Sequence, residues 1–202
     1  MGRQLFGVRA AMKIAGASVV AAVVTAGMVV PAGMALAAPA AQPEVAAAAD
    51  AVWEHTAELQ ELRTSDNRGT FYTLNEEEAD KAESVHGFRR TGEAAGIRMF
   101  TKEVPGSIPV HRLKRVNVPY HTYIVSSNEQ EIEDLTSEKQ PGLKFKDEGV
   151  LGYVLVEQKA GTMPLYRYAK ETVWRVARDN RVDLLLAGYK KSKGVIGFVP
   201  RG

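Results

Sequence analysis

Apolar and polar positions recur in the same order three times between residues 58 and 202. The first element is an apolar, a variable, a charged and an apolar residue, at 59–62, 110–113 and 165–168. The second is a strand-like segment centred on an aromatic residue, Tyr72, Tyr123 or Trp174, and these aromatics are spaced at 51 residues. Short alternating segments of this kind predict β-strands.

A short helix and a closing strand are predicted next in each unit. Asn75 with Glu78, and Asn128 with Glu131, have the spacing of a helix capping box, and a third helix is expected within 180–187. A glycine suited to a left-handed position follows each helix: Gly87, Gly142 and Gly188. The units close on a Gly-x-x-Gly-aromatic strand at 149–153 and 194–198, of which 93–97 is a diverged copy.

The pattern therefore divides the domain into three strand-strand-helix-strand units, at 58–104, 108–159 and 163–202. One such unit is too small to bury its own apolar face. We predict an α+β, β-rich fold in which the units close around a pseudo-threefold axis, as in a β-trefoil or a small propeller. Closure also removes open strand edges, whereas the alternative, an open solenoid, needs polar capping units that the third unit lacks.

The amino terminus has the three parts of a secretory signal. Arg3, Arg9 and Lys13 precede an uncharged apolar stretch, and small residues follow up to Ala37. We predict a signal peptide at 1–37, a flexible Ala/Pro-rich spacer at 38–57, and a secreted, extracellular domain at 58–202. Two alternatives stay open: translation from Met12, and retention of the apolar stretch as a membrane anchor.

Composition narrows the class of partner. The chain is 45% hydrophobic and 25% charged, which is typical of a globular domain. Its net charge of +2 becomes −1 once the three basic residues of the signal are removed, so no nucleic-acid partner is expected. The absence of cysteine excludes disulfides and thiol catalysis. We expect a monomer without cofactor or metal, and without membrane contact after cleavage.

These motifs resemble a family of tandem repeats of secreted bacterial and fungal proteins that is known as a domain of unknown function. The resemblance is carried by residues 165–168, by 70–73 and by Gly188-Tyr189 with 194–198. The histidine that the family places before its second strand is present only as His121. Members are often joined to hydrolase domains, and the resemblance therefore implies an accessory, surface-binding role.

The aromatic column of Tyr72, Tyr123 and Trp174 is the first candidate ligand site. If the units surround an axis, the three rings occupy equivalent positions, where aromatic faces stack on sugar rings and repeated weak sites give avidity. The alternative is that they fill the core, because each shares its strand face with an aliphatic residue two positions on.

Polar residues of the opening strands form a second candidate site. Gln60, His111 and Tyr166 are equivalent in the pattern, as are Glu61, Arg112 and Arg167. We expect His111, Arg112, Tyr166 and Arg167 to contact ligand hydroxyl groups, the alternative being a solvated strand face. Basic residues recur after each helix, and they either bind an anionic polymer or lie on an exposed strand. These residues are Arg89, Arg90, Lys144, Lys146, Lys190, Lys191 and Lys193.

No catalytic arrangement is evident in the sequence. One alternative brings His111 and His121 together across a hairpin, but neither zinc-ligand spacing nor a nucleophile motif accompanies them. We therefore predict a secreted, non-catalytic domain that binds carbohydrate or a cell-surface polymer. A secreted protein-interaction or inhibitor module is the alternative, and a hydrolase comes third.

Overall fold

The computed structural model describes residues 54–137, 139, 141–178, 181–192 and 194–201. The predicted signal peptide and the spacer up to residue 53 lie outside these residues. The first strand begins at Thr56, so paired structure starts within the last residues of the predicted spacer. Across the described part of the chain, no helix combines the length and apolar character needed to cross a bilayer.

Each of the three predicted units contains strands on both sides of one helix. The first unit consists of β1 (Thr56–Glu58), β2 (Gln60–Thr64), β3 (Thr70–Thr73), α1 (Glu76–His86), β4 (Phe88–Arg90) and β5 (Arg98–Phe100). The second consists of β6 (Ser107–Arg115), β7 (Tyr123–Ser126), α2 (Glu129–Thr136) and the long β8 (Phe145–Leu155). The third consists of β9 (Thr162–Lys170), β10 (Val173–Arg178), α3 (Val182–Leu186), β11 (Lys190–Lys191) and β12 (Gly197–Pro200).

Within each unit, the opening strand lies between the second strand and the strand that follows the helix. β2 pairs with β3 and β4, β6 with β7 and the first part of β8, and β9 with β10 and β11, all antiparallel. The beginning of the opening segment pairs with the closing strand: β1 with β5, β6 with the end of β8, and β9 with β12.

Pairs between closing strands connect the three units. Phe100 pairs with Tyr153, Leu155 pairs with Phe198, and Ile97 forms an isolated bridge with Arg201. The strands form a nine-stranded sheet, curled as a half-barrel, and a three-stranded sheet in the order β3-β2-β4. The fold is thus β-rich with few helices, as the sequence pattern predicts.

The second glycine of the Gly-x-x-Gly motif lies where strands approach closely. A Cβ atom at Gly152 would lie 2.9 Å from the carbonyl oxygen of Phe100, and one at Gly197 would lie 2.3 Å from a methyl group of Val154. Neither position has room for a side chain. The motif therefore follows from the contact between closing strands.

The apolar core has a central cluster and peripheral clusters. The central cluster joins residues of all three units, including Tyr72, Val110 and Leu165, which are at most 1% exposed. Two peripheral clusters lie between a helix and its sheet, and each receives an aromatic from the following unit. Tyr123 packs with Phe71 and Phe88 of the first unit, and Trp174 packs with the second unit.

The strand register corrects one equivalence in the aromatic column. Tyr123 pairs with Lys114 and Trp174 with Ala169, which are the same position of their units. Tyr72, however, pairs with Glu61, the position that Val125 and Val176 occupy opposite Arg112 and Arg167. The counterpart of Tyr123 in the first unit is Thr70. The spacing of 51 residues therefore does not reflect an equivalent position for Tyr72.

Candidate functional site

The opening strands of the second and third units each contribute an arginine that clamps the helix start of the preceding unit. Arg112 donates to both carboxylate oxygens of Glu78 at 2.8 and 2.9 Å, and to the carbonyl oxygen of Tyr72 at 2.9 Å. Thr73 donates its hydroxyl to the same carboxylate, and Asn75 caps the helix by accepting from the Glu78 N–H. This junction between the first and second units is the first seam.

The second seam, between the second and third units, repeats these contacts. Arg167 donates to both oxygens of Glu131 at 2.6 and 2.9 Å, and to the carbonyl oxygen of Val125 at 3.0 Å. Ser126 donates to Glu131 at 2.5 Å, and Asn128 accepts from the Glu131 N–H. Fork-shaped pairing of this kind fixes both partners in orientation as well as distance.

The clamps keep both glutamates ionised. Burial alone would raise the pKa of Glu78, but hydrogen bonds from Arg112 and Thr73 outweigh it and hold the pKa below its ordinary value. Glu131 behaves in the same way, with Arg167 and Ser126 as its donors. Both seams are therefore stable polar joints at neutral pH.

A small cavity opens beside each clamp. The first seam pocket has a volume of about 230 Å³ and is lined by Thr73, Leu74, Asn75, Glu78, Thr101, Arg112, Glu148, Gly149, Val150 and Leu151. The second seam pocket has a volume of about 190 Å³ and is lined by Ser126, Ser127, Asn128, Glu131, Arg167, Ser192, Gly194, Val195 and Ile196. The two linings match position by position around the helix cap, the clamp and the Gly-x-x-Gly loop.

The third seam joins the third unit to the first and differs in its chemistry. Glu61 occupies the arginine position of the other seams and faces Arg175, with an N–O distance of 3.3 Å. The third seam pocket, of about 700 Å³, lies beside it. Its lining is again drawn from the end of the second strand, the helix cap and the closing loop: Thr91, Gly92, Glu93, Ala95, Ala177, Arg178 and Arg181.

The structure buries the predicted aromatic column. Tyr72, Tyr123 and Trp174 are 0%, 7% and 8% exposed, so their faces contact the core. Burial raises the pKa of Tyr123 to about 12 and that of Tyr72 well above its ordinary value. This placement favours the packing interpretation of the column over sugar stacking.

The structure does not place the residues of the second candidate site together: two lie in the clamps and two contact other side chains of the sheet. Arg112 and Arg167 are the clamp residues, and their side chains are 13% and 14% exposed. The ring of Tyr166 lies under the ammonium group of Lys191, 3.3 Å from the ring centroid. His111 pairs through Nδ1 with Asp147 at 2.7 Å.

The histidines do not converge as one alternative supposed. His111 pairs across the hairpin with Ser126, whereas the ring of His121 lies 5.1 Å from that of His86. In the residues described by the structure, no group of three or more His, Cys, Asp and Glu side chains is placed to hold a metal ion.

Sequence reasoning identified the helix caps but not the seams they help to form. The sequence does contain a pattern that indicates the clamps: Glu78 and Glu131 are each followed, in the opening strand of the next unit, by an arginine. Arg178 has no comparable signal, since it lies just before the third helix, where the pattern diverges.

The family comparison covers nearly all of the described domain. The family model described as Domain of unknown function (DUF5648) matches residues 42–139 and 71–197. No curated protein and no solved structure matches the chain. Since the longer match alone spans more than half of the chain, the protein belongs to the DUF5648 family.

Proposed function

We propose that the protein is an exported, non-catalytic domain that binds carbohydrate through its seam pockets rather than through the aromatic column. The observation that supports this most is the match between the first and second seam pockets, which have the same helix cap, carboxylate, arginine and Gly-x-x-Gly loop.

The proposed arrangement is three copies of one unit around a pseudo-threefold axis. The three units share one pairing scheme, and their closing strands contact one another in sequence and back to the first. Each pair of neighbouring units then contributes one pocket, and three weak sites on one rigid domain give avidity for a polymer with repeating sugar units.

The chemistry of the pockets suits hydroxyl groups. Each of the first two pockets is lined by the clamped glutamate, an asparagine and a Thr or Ser hydroxyl beside an aliphatic wall, and the first is lined by Glu148 as well. A few fixed polar groups on a partly apolar wall are the usual way in which a protein orients a small polar ligand. Volumes near 200 Å³ limit each of these pockets to a small unit, such as one sugar residue.

Pocket-filling variants test the proposal. Val150 and Val195 line the first and second seam pockets and are 48% and 39% exposed, so Val150→Trp and Val195→Trp fill the cavities from the solvent side. The matched control is Val85→Trp, on an exposed part of α1 outside the pockets. On a glycan array, the first two variants should each weaken binding and the double variant should remove most of it.

Equal binding by all three tryptophan variants, or the absence of any glycan signal, would contradict the proposal. Secretion is tested separately by expressing the full chain in its bacterial or fungal host and sequencing the amino terminus of the protein in the medium. The proposal expects a mature protein that starts after Ala37.

A protein-interaction module is the second candidate. It is favoured by α3, which exposes Val182, Leu185 and Leu186 to 60%, 44% and 84%. Apolar side chains grouped on one short helix are typical of contact surfaces. This function predicts a stoichiometric partner in the medium whose binding is lost in Leu186→Asp but kept in Val150→Trp.

A further inference from the structure

The wall of the third seam pocket contains an exposed arginine, Arg178, and the walls of the other two contain none. Arg178 lines this pocket at the position where Leu74 and Ser127 line the first and second. Its guanidinium lies beside Gly96, with Nη1 3.1 Å from the place that a Cβ atom on Gly96 would occupy. Arg178 is exposed, and it forms no ion pair with any residue that the structure describes.

The acidic residue of the pocket does not neutralise Arg178. Glu93 is surrounded by Arg63, Arg175 and Arg181, with N–O distances of 3.4, 3.1 and 2.8 Å. Burial alone would raise the pKa of Glu93, but these guanidinium groups hold it below its ordinary value. The carboxylate is therefore ionised and paired with three guanidinium groups, none of which is that of Arg178.

The arginines of the first and second seams are not available to bind a ligand carboxylate, because they are bonded within the protein. Arg112 and Arg167 each use two nitrogens on a glutamate and a further bond on a backbone carbonyl. Of the described residues that line the three seam pockets, Arg178 alone has a guanidinium group with no ion pair to another described residue. The volume of the third pocket, about 700 Å³, also leaves room for a sugar ring together with a charged substituent.

We infer that the third seam pocket binds the carboxylate of an acidic saccharide, with Arg178 as the group that selects it. The planar fork of arginine matches a carboxylate with two parallel hydrogen bonds, which a neutral hydroxyl cannot reproduce. This inference rests on the proposed function and adds that the three pockets bind different kinds of sugar unit. Two pockets take neutral sugar units, and the third takes an acidic one.

The test compares hexagalacturonate with its fully methyl-esterified form, which keeps the sugar skeleton and removes the charge. Affinities are measured by calorimetry on the purified protein, on Arg178→Ala and Arg178→Lys, and on Arg89→Ala. Arg89 is an exposed arginine of β4 outside the pockets, so its loss changes the net charge equally. A hexaglutamate peptide serves as the acidic probe without sugar.

The inference predicts that Arg178→Ala weakens binding of hexagalacturonate about tenfold or more, as expected for loss of a charge-assisted bidentate contact. Arg178→Lys should keep only part of the affinity for hexagalacturonate, and Arg89→Ala should leave that affinity unchanged. The methyl ester should bind the unmodified protein and all three variants with the same affinity. The preference for the acid should weaken as salt is raised.

Several outcomes overturn the inference. They are equal losses in Arg178→Ala and Arg89→Ala, an ester that binds as tightly as the acid, absence of hexagalacturonate binding, or a hexaglutamate peptide that binds as tightly as the saccharide. If neutral glycans still bind and Val150→Trp still weakens them, the proposed function survives that failure. If no saccharide binds at all, both fail together.

Discussion

The hydroxyl of Tyr72 accepts a 3.1 Å hydrogen bond from the backbone N–H of Val176, although the two residues are 104 positions apart in the chain. The same hydroxyl lies 3.1 Å from the carbonyl oxygen of Trp174 and 3.2 Å from the carboxylate of Glu61. One phenolic group thus joins the first unit to the third. It takes the place of the arginine clamp that joins the other neighbouring units.

Removal of that hydroxyl should destabilise the whole domain. Tyr72→Phe leaves the N–H of Val176 and an oxygen of Glu61 without their partner in a fully buried site, which costs about 2 kcal/mol. Urea unfolding followed by fluorescence gives the free energy of unfolding. A change below about 0.5 kcal/mol would show that the contact does not hold the third seam.

The buried aromatics should behave as core residues. Tyr123→Ala and Trp174→Ala each remove a large side chain from a peripheral cluster and should lower the free energy of unfolding by about 3–5 kcal/mol. Circular dichroism and thermal unfolding measure this loss. If either variant stays as stable as the unmodified protein but loses glycan binding, the ring is a ligand contact and the burial argument is wrong.

Both clamps should contribute to stability. Arg112→Ala and Arg167→Ala each leave a partly buried glutamate without its fork and should cost about 1–3 kcal/mol. The loss should be larger for Arg112, which also pairs with Glu148 and lies over the ring of Phe71. The control is Arg68→Ala, whose ion pair with Asp66 is exposed, so its loss should leave the free energy of unfolding unchanged within error. Similar small losses for all three arginines would contradict the structural role of the seams.

The seams should also give the domain a defined acid sensitivity. The pKa of Glu131 in the folded protein lies below its ordinary value of 4.5, so its contribution to stability is present above about pH 4.5. That contribution is lost as the pH falls through the folded-state pKa. Melting temperatures between pH 7 and pH 3 should therefore drop less steeply in Glu131→Gln than in the unmodified protein, and parallel curves would be inconsistent with an ionised clamp.

Much of the fold was predictable from local patterns. Asn75 and Asn128 were predicted to cap their helices, and both side chains accept the expected hydrogen bond from Glu78 and Glu131. The β-rich class was predictable because apolar alternation and turn residues act locally. The arginines that bind Glu78 and Glu131 were not predictable from local patterns, because they lie 34 and 36 positions away in the chain.

The position of Tyr72 illustrates the same limit. Spacing along the chain counts loop residues, whereas equivalence in a sheet depends on the register of paired strands. Residues 65–69 connect β2 to β3, but residues 116–122 connect β6 to β7, so the aromatic spacing of 51 matched while the paired positions differed. The strand register therefore identifies the equivalent residues, whereas the spacing along the sequence does not.

The most direct test of the central claim is an amide NMR titration with the neutral hexasaccharide that binds best on the array. The seam-pocket account predicts that chemical-shift changes concentrate at the helix caps and closing loops, around Asn75 and Val150 and around Asn128 and Val195. Shifts confined to α3, or scattered without relation to the pockets, would contradict it.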